Sequence, residues 1–282
     1  MESLIYISYI ALVSWLYISL IHGRSFSSDE GLFWKNKIIF EEKLNFHKPL
    51  VFNDSICVMI PARNEEKTIL KTLNSIKNQN YKNLQVVVVD DNSSDKTKKI
   101  VNKFKKGFRN LILLKGKQLP SGWVGKTWAL KQAVDQANKK FFDYYLFLDS
   151  DITFSKNLLK KVIHFSKSEN FLMISLMARL NCNSFWEKML IPSFIFFFQK
   201  LYPFNYVNDK KKNLAAAAGG FILCKASEFK KENLYNKISN KVIDDCNIAK
   251  LLKKNGEIWL GLSNQIKSGR SYRNLKSIWN MV

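Results

Sequence analysis

Four short apolar runs, separated by amphipathic stretches, set out the plan of the chain. Residues 56–60 (ICVMI), 84–89 (LQVVVV), 111–114 (LILL) and 144–148 (YYLFL) each have the length and composition of a strand. The second is almost continuously β-branched, the character of a parallel strand covered on both faces. Between the runs, Ile69, Leu73 and Ile76 recur at helical spacing. Residues 96–104 follow a stretch in which Ser93, Ser94 or Asp95 can cap a helix, and residues 127–137 form a third helical segment. Strand and helix alternate three times, which predicts a doubly wound parallel sheet. Ligands of such sheets collect at the carboxyl ends of the strands. Those ends carry PARNEE (61–66), DDNSSD (90–95) and DSD (149–151), and a later amphipathic helix opens on Asp244 and Asp245 with Ile248, Leu251 and Leu252 on one face.

Two apolar stretches stand outside this alternation. Residues 4–21 (LIYISYIALVSWLYISLI) are uncharged, and as a helix they would extend about 27 Å, close to the hydrocarbon thickness of a bilayer. Glu2 precedes the run and bulky residues fill it, so a cleaved signal peptide is a poorer reading than an N-terminal transmembrane anchor over residues 1–23. Arg24, Lys35 and Lys37 follow it in a juxtamembrane linker over 24–54, which predicts a single-pass protein with its main domain, residues 55–282, in the cytoplasm. Residues 185–206 (FWEKMLIPSFIFFFQKLYPFNY) are interrupted by Glu187, Lys188, Pro192 and Lys200. That pattern suits a helix at the membrane interface or facing a lipid groove, or equally a buried core helix.

Charge adds a question of partner. The chain has 45 Lys+Arg against 23 Asp+Glu, a formal charge of +22. Lysine is spread along its whole length, and no zinc-finger spacing, RNA-binding aromatic motif or basic heptad accompanies it, so nucleic acid is not an expected partner. Anionic headgroups or a diphosphate-bearing substrate suit the charge better. Cys57, Cys182, Cys224 and Cys246 contain no C-x-x-C pair and read as reduced thiols.

Each candidate for chemistry has a bland alternative. Asp149 and Asp151, with Ser150 between them, project to the same side if the segment is extended, and two hard oxygen ligands there suit Mg²⁺ or Mn²⁺ shared with substrate phosphates. A solvated turn is the alternative. Asp95 is explained by helix capping, but two consecutive acids at a strand end are not, and Asp91 is placed to accept from a nucleotide base. Lys126, in SGWVGKTWAL, precedes a helix as an anion-binding lysine does, although the P-loop spacing is not met and ATP hydrolysis is not indicated. Asp244 and Asp245 serve either as helix N-terminal acids or as a general base for an acceptor hydroxyl. His22, His47 and His164 are scattered, and no G-x-S-x-G or Cys/His pattern indicates a covalent nucleophile.

Taken in order, PARNEE, DDNSSD, DSD and the late DD resemble glycosyltransferase family 2, whose GT-A fold is a doubly wound mixed α/β sheet with a Rossmann-like nucleotide-binding half. PSGWVGKTWAL, FWEKMLIPSFIFFFQKLYPFNYVND, AAAAGGFILC, IDDCNIA and SGRSYRNLKSIWNMV are similar to its hopene-associated membrane-bound branch. The resemblance implies that Pro61, Ala62, Arg63 and Glu65 line the nucleotide pocket and that Asp91 meets the base. It implies a DXD motif of Asp149, Ser150 and Asp151, with the metal bridging the donor diphosphate. Asp245, rather than Asp244, becomes the catalytic base, Gly219 and Gly220 lie beside a sugar, and Arg270 and Arg273 lie near the diphosphate. The implied protein is a membrane-anchored, metal-dependent, inverting hexosyltransferase that uses a UDP- or GDP-sugar and a lipid acceptor of hopanoid or isoprenoid type. The alternative is a catalytically silent nucleotide-sugar-binding or scaffold protein at the membrane. A nucleotidyltransferase is disfavoured because PARNEE stands where a Gly-rich basic loop would follow the first strand.

Overall fold

The structure is a computed structural model that describes residues 2–17, 40, 53–79, 81–232, 234–240 and 244–279. In chain order the elements are α1 (Glu2–Leu16), β1 (Ile56–Ala62), α2 (Ile69–Lys77), β2 (Leu84–Asp90), α3 (Thr97–Lys105), β3 (Leu111–Lys115), α4 (Gly125–Ala137), β4 (Tyr144–Leu148) and β5 (Ile152–Phe154). They continue with α5 (Leu158–Ser168), β6 (Met173–Arg179), α6 (Phe185–Leu201), α7 (Phe204–Asn208), β7 (Phe221–Lys225), α8 (Ala226–Glu232), α9 (Leu234–Lys237), α10 (Asp244–Lys253), β8 (Ile258–Ser268) and α11 (Leu275–Trp279).

The strands form one eight-stranded sheet in the order β3-β2-β1-β4-β7-β6-β8-β5. The β3-β2-β1-β4 half is parallel, as its unbroken apolar runs predict. The other half is mixed: β7 runs antiparallel to both β4 and β6, β6 and β8 are parallel, and β5 is antiparallel to β8. The period of two then sorts the strand side chains into two cores. Cys57, Met59, Val87, Val89, Tyr145 and Phe147 pack with α4 and α10 on one face. Ile56, Val58, Ile60, Val86, Val88 and Leu146 pack with α2, α3 and α5 on the other. Both faces are covered, so the loops at the carboxyl rim rest on a rigid platform.

Among the described residues, the N-terminal apolar run forms a helix shorter than the expected anchor. Helix α1 covers 15 residues, or about 22 Å at the α-helical rise, against about 30 Å of hydrocarbon. Among the described residues no helix is long and apolar enough to cross a membrane. The transmembrane helix over 1–23, and the single-pass cytoplasmic placement derived from it, are corrected on that ground. Residues 18–23 and most of the 24–54 linker lie outside the described residues.

Helix α6 begins with a capping box in which the Ser184 hydroxyl accepts from the Glu187 N–H at 3.2 Å and the Glu187 carboxylate accepts from the Ser184 N–H at 2.9 Å. Its two sides differ. Ile191 is buried and Ile195 and Phe198 pack on the core, whereas Phe185, Met189, Phe197 and Leu201 are exposed along one i, i+4 row. Neither a wholly buried core helix nor a wholly exposed one describes it.

Candidate active site

The PARNEE and DDNSSD loops leave neighbouring parallel strands and are tied together. The Asn64 N–H donates to Ser93 Oγ at 3.0 Å, the Ser94 N–H to Asn64 Oδ1 at 2.8 Å, and the Glu65 N–H to Thr97 Oγ1 at 2.7 Å. Asn64 and Asn92 take left-handed backbone conformations with φ of 56° and 53°, which Asn tolerates better than most residues. Asp95 accepts from the Thr97 N–H at 2.9 Å and the Glu66 N–H at 3.0 Å, so it is a structural tie rather than a ligand contact. Burial acts to raise its pKa, but these hydrogen bonds and that of the Thr97 hydroxyl hold it below the usual carboxylate value. Asp91 remains at the surface of the rim, 3.6 Å from Arg63. Gly116 lets the next loop approach, because a Cβ there would stand 2.9 Å from the Asp90 carbonyl oxygen.

The DSD segment is a turn between β4 and β5, not an extended strand end as its alternation suggests. It is pinned on several sides: the Asp149 N–H donates to the Gly220 carbonyl at 3.1 Å, the Thr72 hydroxyl to the Ser150 carbonyl at 2.8 Å, and the Gly269 N–H to the Asp151 carbonyl at 2.7 Å. The two carboxylates find different partners. Asp149 Oδ1 meets Lys126 Nζ at 2.8 Å, and Asp151 Oδ2 accepts a short hydrogen bond from the Ser268 hydroxyl.

Lys126, on the first turn of α4, joins this turn to α10. Burial acts to lower its pKa, but Asp149, Asp244 and Asp245 together raise it, so it is charged. Solvent still reaches 39% of its side chain and 34% of that of Asp149, so the bridge adds little to stability and its value is positional. Asp245 is pushed up to about 6, first by burial and then by the neighbouring Asp244 charge, with Lys126 opposing. Asp244 is raised by burial and by Asp149, again against Lys126. Asp245 Oδ1 accepts from the Cys246 N–H at 2.7 Å, and Oδ2 faces Gly219, where a Cβ would lie 3.0 Å away.

Two adjoining cavities result. The first, of about 320 Å³, is lined by Pro61, Ala62, Arg63, Glu65, Asp91 and Ser150 together with Lys126, Asp149 and Arg270. The second, of about 310 Å³, shares those last three residues and adds Asp151, Gly219, Gly220 and Asp245, with Phe194, Ile195 and Phe198 of α6 as an apolar wall. Asp91, Asp149, Asp151 and Asp245 therefore stand along one continuous rim. Asp244 lies behind it, against Lys126 and Tyr235. Arg270 reaches the rim and ion-pairs with Glu65 through a short contact. Arg273 is exposed and lines neither cavity.

Several contributors carry no local signal in the sequence. Ser268 is 117 positions from Asp151, Thr72 lies inside an ordinary amphipathic helix, and Tyr272 enters the second cavity only because β8 returns to the sheet. Ser268 and Tyr272 flank Arg270 in SGRSY, whose basic residue points to the segment without marking either neighbour.

Among the described residues no group of three or more His, Cys, Asp or Glu side chains is placed to hold a metal. Asp149 and Asp151 supply two carboxylates from one turn to the second cavity, which Asp245 also lines. Mg²⁺ ordinarily takes one or two carboxylates and completes its shell from phosphates and water, so this donor set suits such an ion when a diphosphate is present.

A mixed sheet with two covered faces and an acidic carboxyl rim defines a GT-A-like α/β protein. Residues 57–231 match Glycosyl transferase family 2, and the chain belongs to that family. It is 32% identical over 114 residues to the UDP-Glc:alpha-D-GlcNAc-diphosphoundecaprenol beta-1,3-glucosyltransferase WfaP of Escherichia coli, a match covering 40% of this chain and 42% of that protein. The crystal structure of Staphylococcus aureus TarS 1-349 in complex with UDP-GlcNAc superposes with a TM-score of 0.52 at 20% identity, over 78% of this chain and 60% of that one. The mannosyltransferase PcManGT of Pyrobaculum calidifontis, in complex with GDP-Man and Mn2+, gives 0.51 at 17% identity, over 78% and 61%. At those identities the structures share the fold.

Proposed function

We propose that the protein is an inverting glycosyltransferase that moves a hexosyl group from a UDP- or GDP-sugar to a lipid acceptor. The observation that carries this reading is the second cavity, where Asp245, with a pKa near 6, faces Asp149 and Arg270 across a space walled on one side by α6 aromatics. In this reading the first cavity receives the nucleotide, with Asp91 accepting from the base and Arg63, Lys126 and Arg270 drawing the diphosphate. Asp245 takes the proton of the acceptor hydroxyl as its oxygen bonds to the anomeric carbon. The bond from that carbon to the donor diphosphate breaks on the opposite side, so configuration inverts, while Lys126 and Arg270 meet the charge that develops on the leaving group. A Mg²⁺ or Mn²⁺ held by Asp151 and Asp149 would add Lewis-acid neutralisation of that diphosphate. The Mn2+ in the mannosyltransferase structure supports the metal, and the lipid-linked acceptor in the name of the Escherichia coli relative supports the acceptor class.

The exposed row Phe185, Met189, Phe197 and Leu201 supports a membrane-interface role for residues 185–206, in which these side chains enter the headgroup region beside the cavity. PSGWVGKTWAL and AAAAGGFILC support placement in the hopene-associated branch. The test is release of free nucleotide from a panel of UDP- and GDP-sugars with Mn²⁺, with and without lipid extract, beside an Asp245→Asn control. Lipid-dependent release that the control lacks is the expected result. Nucleotide binding with no release from any donor would leave the silent binding reading in its place.

A further inference from the structure

A groove of about 760 Å³ opens between the end of β6, the start of α6 and β8. It shares Met177, Ala178, Leu180 and Ile195 with the second cavity, so it adjoins the space that Asp245 faces. Its size is that of a ligand site, and Met177, Ile191, Ile195 and Leu262 supply an apolar lining.

Two cations stand at this groove and no carboxylate lines it. Arg179 and Lys267 are register partners on β6 and β8, and both are exposed. Like charges directly opposite each other on paired strands are destabilising. Among the described residues no carboxylate makes an ion pair with either. The pairing also follows an irregularity: from the Met177–Leu262 pair to the Arg179–Lys267 pair, β6 advances two positions and β8 advances five. The extra length of β8 bulges at residues 263–266, and such bulges beside a site re-aim the side chains that follow. A solvated surface accounts for either cation alone; what singles the pair out is their opposition at a groove that joins the apolar Met177, Ile191, Ile195 and Leu262 to the polar Asn181, Asn183, Ser263 and Asn264.

We propose that this groove binds an acceptor lipid whose head carries a phosphate or diphosphate, held by Arg179 and Lys267, with its hydrocarbon chain along Met177, Ile191, Ile195 and Leu262. The proposal rests on the glycosyltransferase reading above and names the acceptor of that site. The phosphate sits at the groove while the reacting hydroxyl reaches Asp245 in the second cavity. The phosphate is therefore an anchor and not the nucleophile, and a spacer such as a sugar separates the two.

The test titrates the whole chain with farnesyl diphosphate, farnesol and inorganic pyrophosphate, each with the nucleotide site saturated by UDP. Farnesyl diphosphate should bind about tenfold or more tighter than either half-ligand. The double variant Arg179→Ser, Lys267→Ser should lose about that factor, because two charge-assisted contacts go. Lys98→Ser with Lys103→Ser, on exposed positions of α3, makes the same charge change and should lose nothing. Equal affinity for pyrophosphate, equal affinity for farnesol, or equal loss in the α3 variant would each overturn the proposal, as would unchanged binding in the groove variant. UDP binding is measured first: its absence would count against the glycosyltransferase reading, whereas UDP binding without selective farnesyl diphosphate binding would count against the groove alone.

Discussion

The Glu187 carboxylate on α6 accepts a hydrogen bond from the Tyr272 backbone N–H at 2.5 Å, so one buried side chain joins the helix that walls the second cavity to the loop that carries Arg270. The same carboxylate accepts from the N–H groups of Asn183 and Ser184 at 3.0 and 2.9 Å and from the Ser271 hydroxyl at 3.1 Å. Burial acts to raise its pKa, but these donors bring it down to about 2. Glu187→Ala should cost about 2–3 kcal/mol in urea unfolding, since a buried charged acceptor is lost and its donors are left unpaired. It should also weaken UDP binding through the displaced Arg270 loop. The folded-state pKa lies below the ordinary carboxylate value, so the stabilisation is complete above about pH 5 and is lost as pH falls towards 2. Glu187→Gln should flatten the pH dependence of stability across that window; an unchanged slope would show that other carboxylates set it.

Asp245 and Lys126 give a second prediction, read from rate against pH. As a base with a pKa near 6, Asp245 must be ionised, so kcat/KM should fall below about pH 6. Lys126 lowers that pKa from its place beside Asp149, Asp244 and Asp245. Lys126→Met should therefore move the acid limb to higher pH as well as weaken donor binding. Asp245→Asn should reduce kcat by roughly 10²–10⁴-fold while UDP still binds. An acid limb that stays in place in Lys126→Met would remove Asp245 from the role of base.

The first half of the sheet was legible because its inner strands β1, β2 and β4 are buried on both faces and must be largely apolar: the run at 144–148 coincides with β4, and α2 starts at Ile69, the first residue of its predicted stripe. The acids stood out at the strand ends for the same reason, as charge interrupts an apolar run only where the chain reaches the rim. The second half was not legible. β7 follows a small-residue stretch and pairs antiparallel with strands on either side, and β8 carries its irregularity within one 11-residue strand. Glu187 interrupts an apolar stretch of the sequence; its S-x-x-E cap with Ser184 is local, but its partners Ser271 and Tyr272 lie 84 and 85 positions away, beyond any local pattern. The N-terminal run misled in the opposite sense, since uncharged length alone suggested a span that α1 does not have.

Gly219 tests the geometry of the second cavity. An added Cβ would lie 3.0 Å from Asp245 Oδ2 and 3.4 Å from Lys126 Nζ, so one of the two must move. Gly219→Ala should lower kcat by roughly tenfold to a hundredfold, because small displacements of a reacting group cost that much, with a smaller change in the KM for the donor. Unfolding measurements should show little change. A variant with full kcat would mean that Asp245 has more freedom than its contacts suggest.

Lys253 gives the last prediction, on stability. At the end of α10 its ammonium donates to the carbonyl oxygens of Val207 at 2.6 Å, Leu214 at 2.7 Å and Tyr206 at 3.3 Å, and so pins the segment that leads from α7 towards Gly219. Burial lowers its pKa, with Asp209 opposing, so the cost of holding the charge is offset by that carboxylate and by these acceptors. Lys253→Met keeps much of the apolar stem but leaves the carbonyls without their donor, at about 1–3 kcal/mol in urea unfolding. Lys253→Arg should not restore the loss fully, because a planar fork cannot direct its donors at three carbonyls as a compact ammonium does. If Lys253→Met unfolds at the wild-type midpoint, water replaces the ammonium without penalty and the 206–214 segment is held by its other contacts, among them the Asn208 side chain, which accepts from the Leu260 N–H at 2.7 Å.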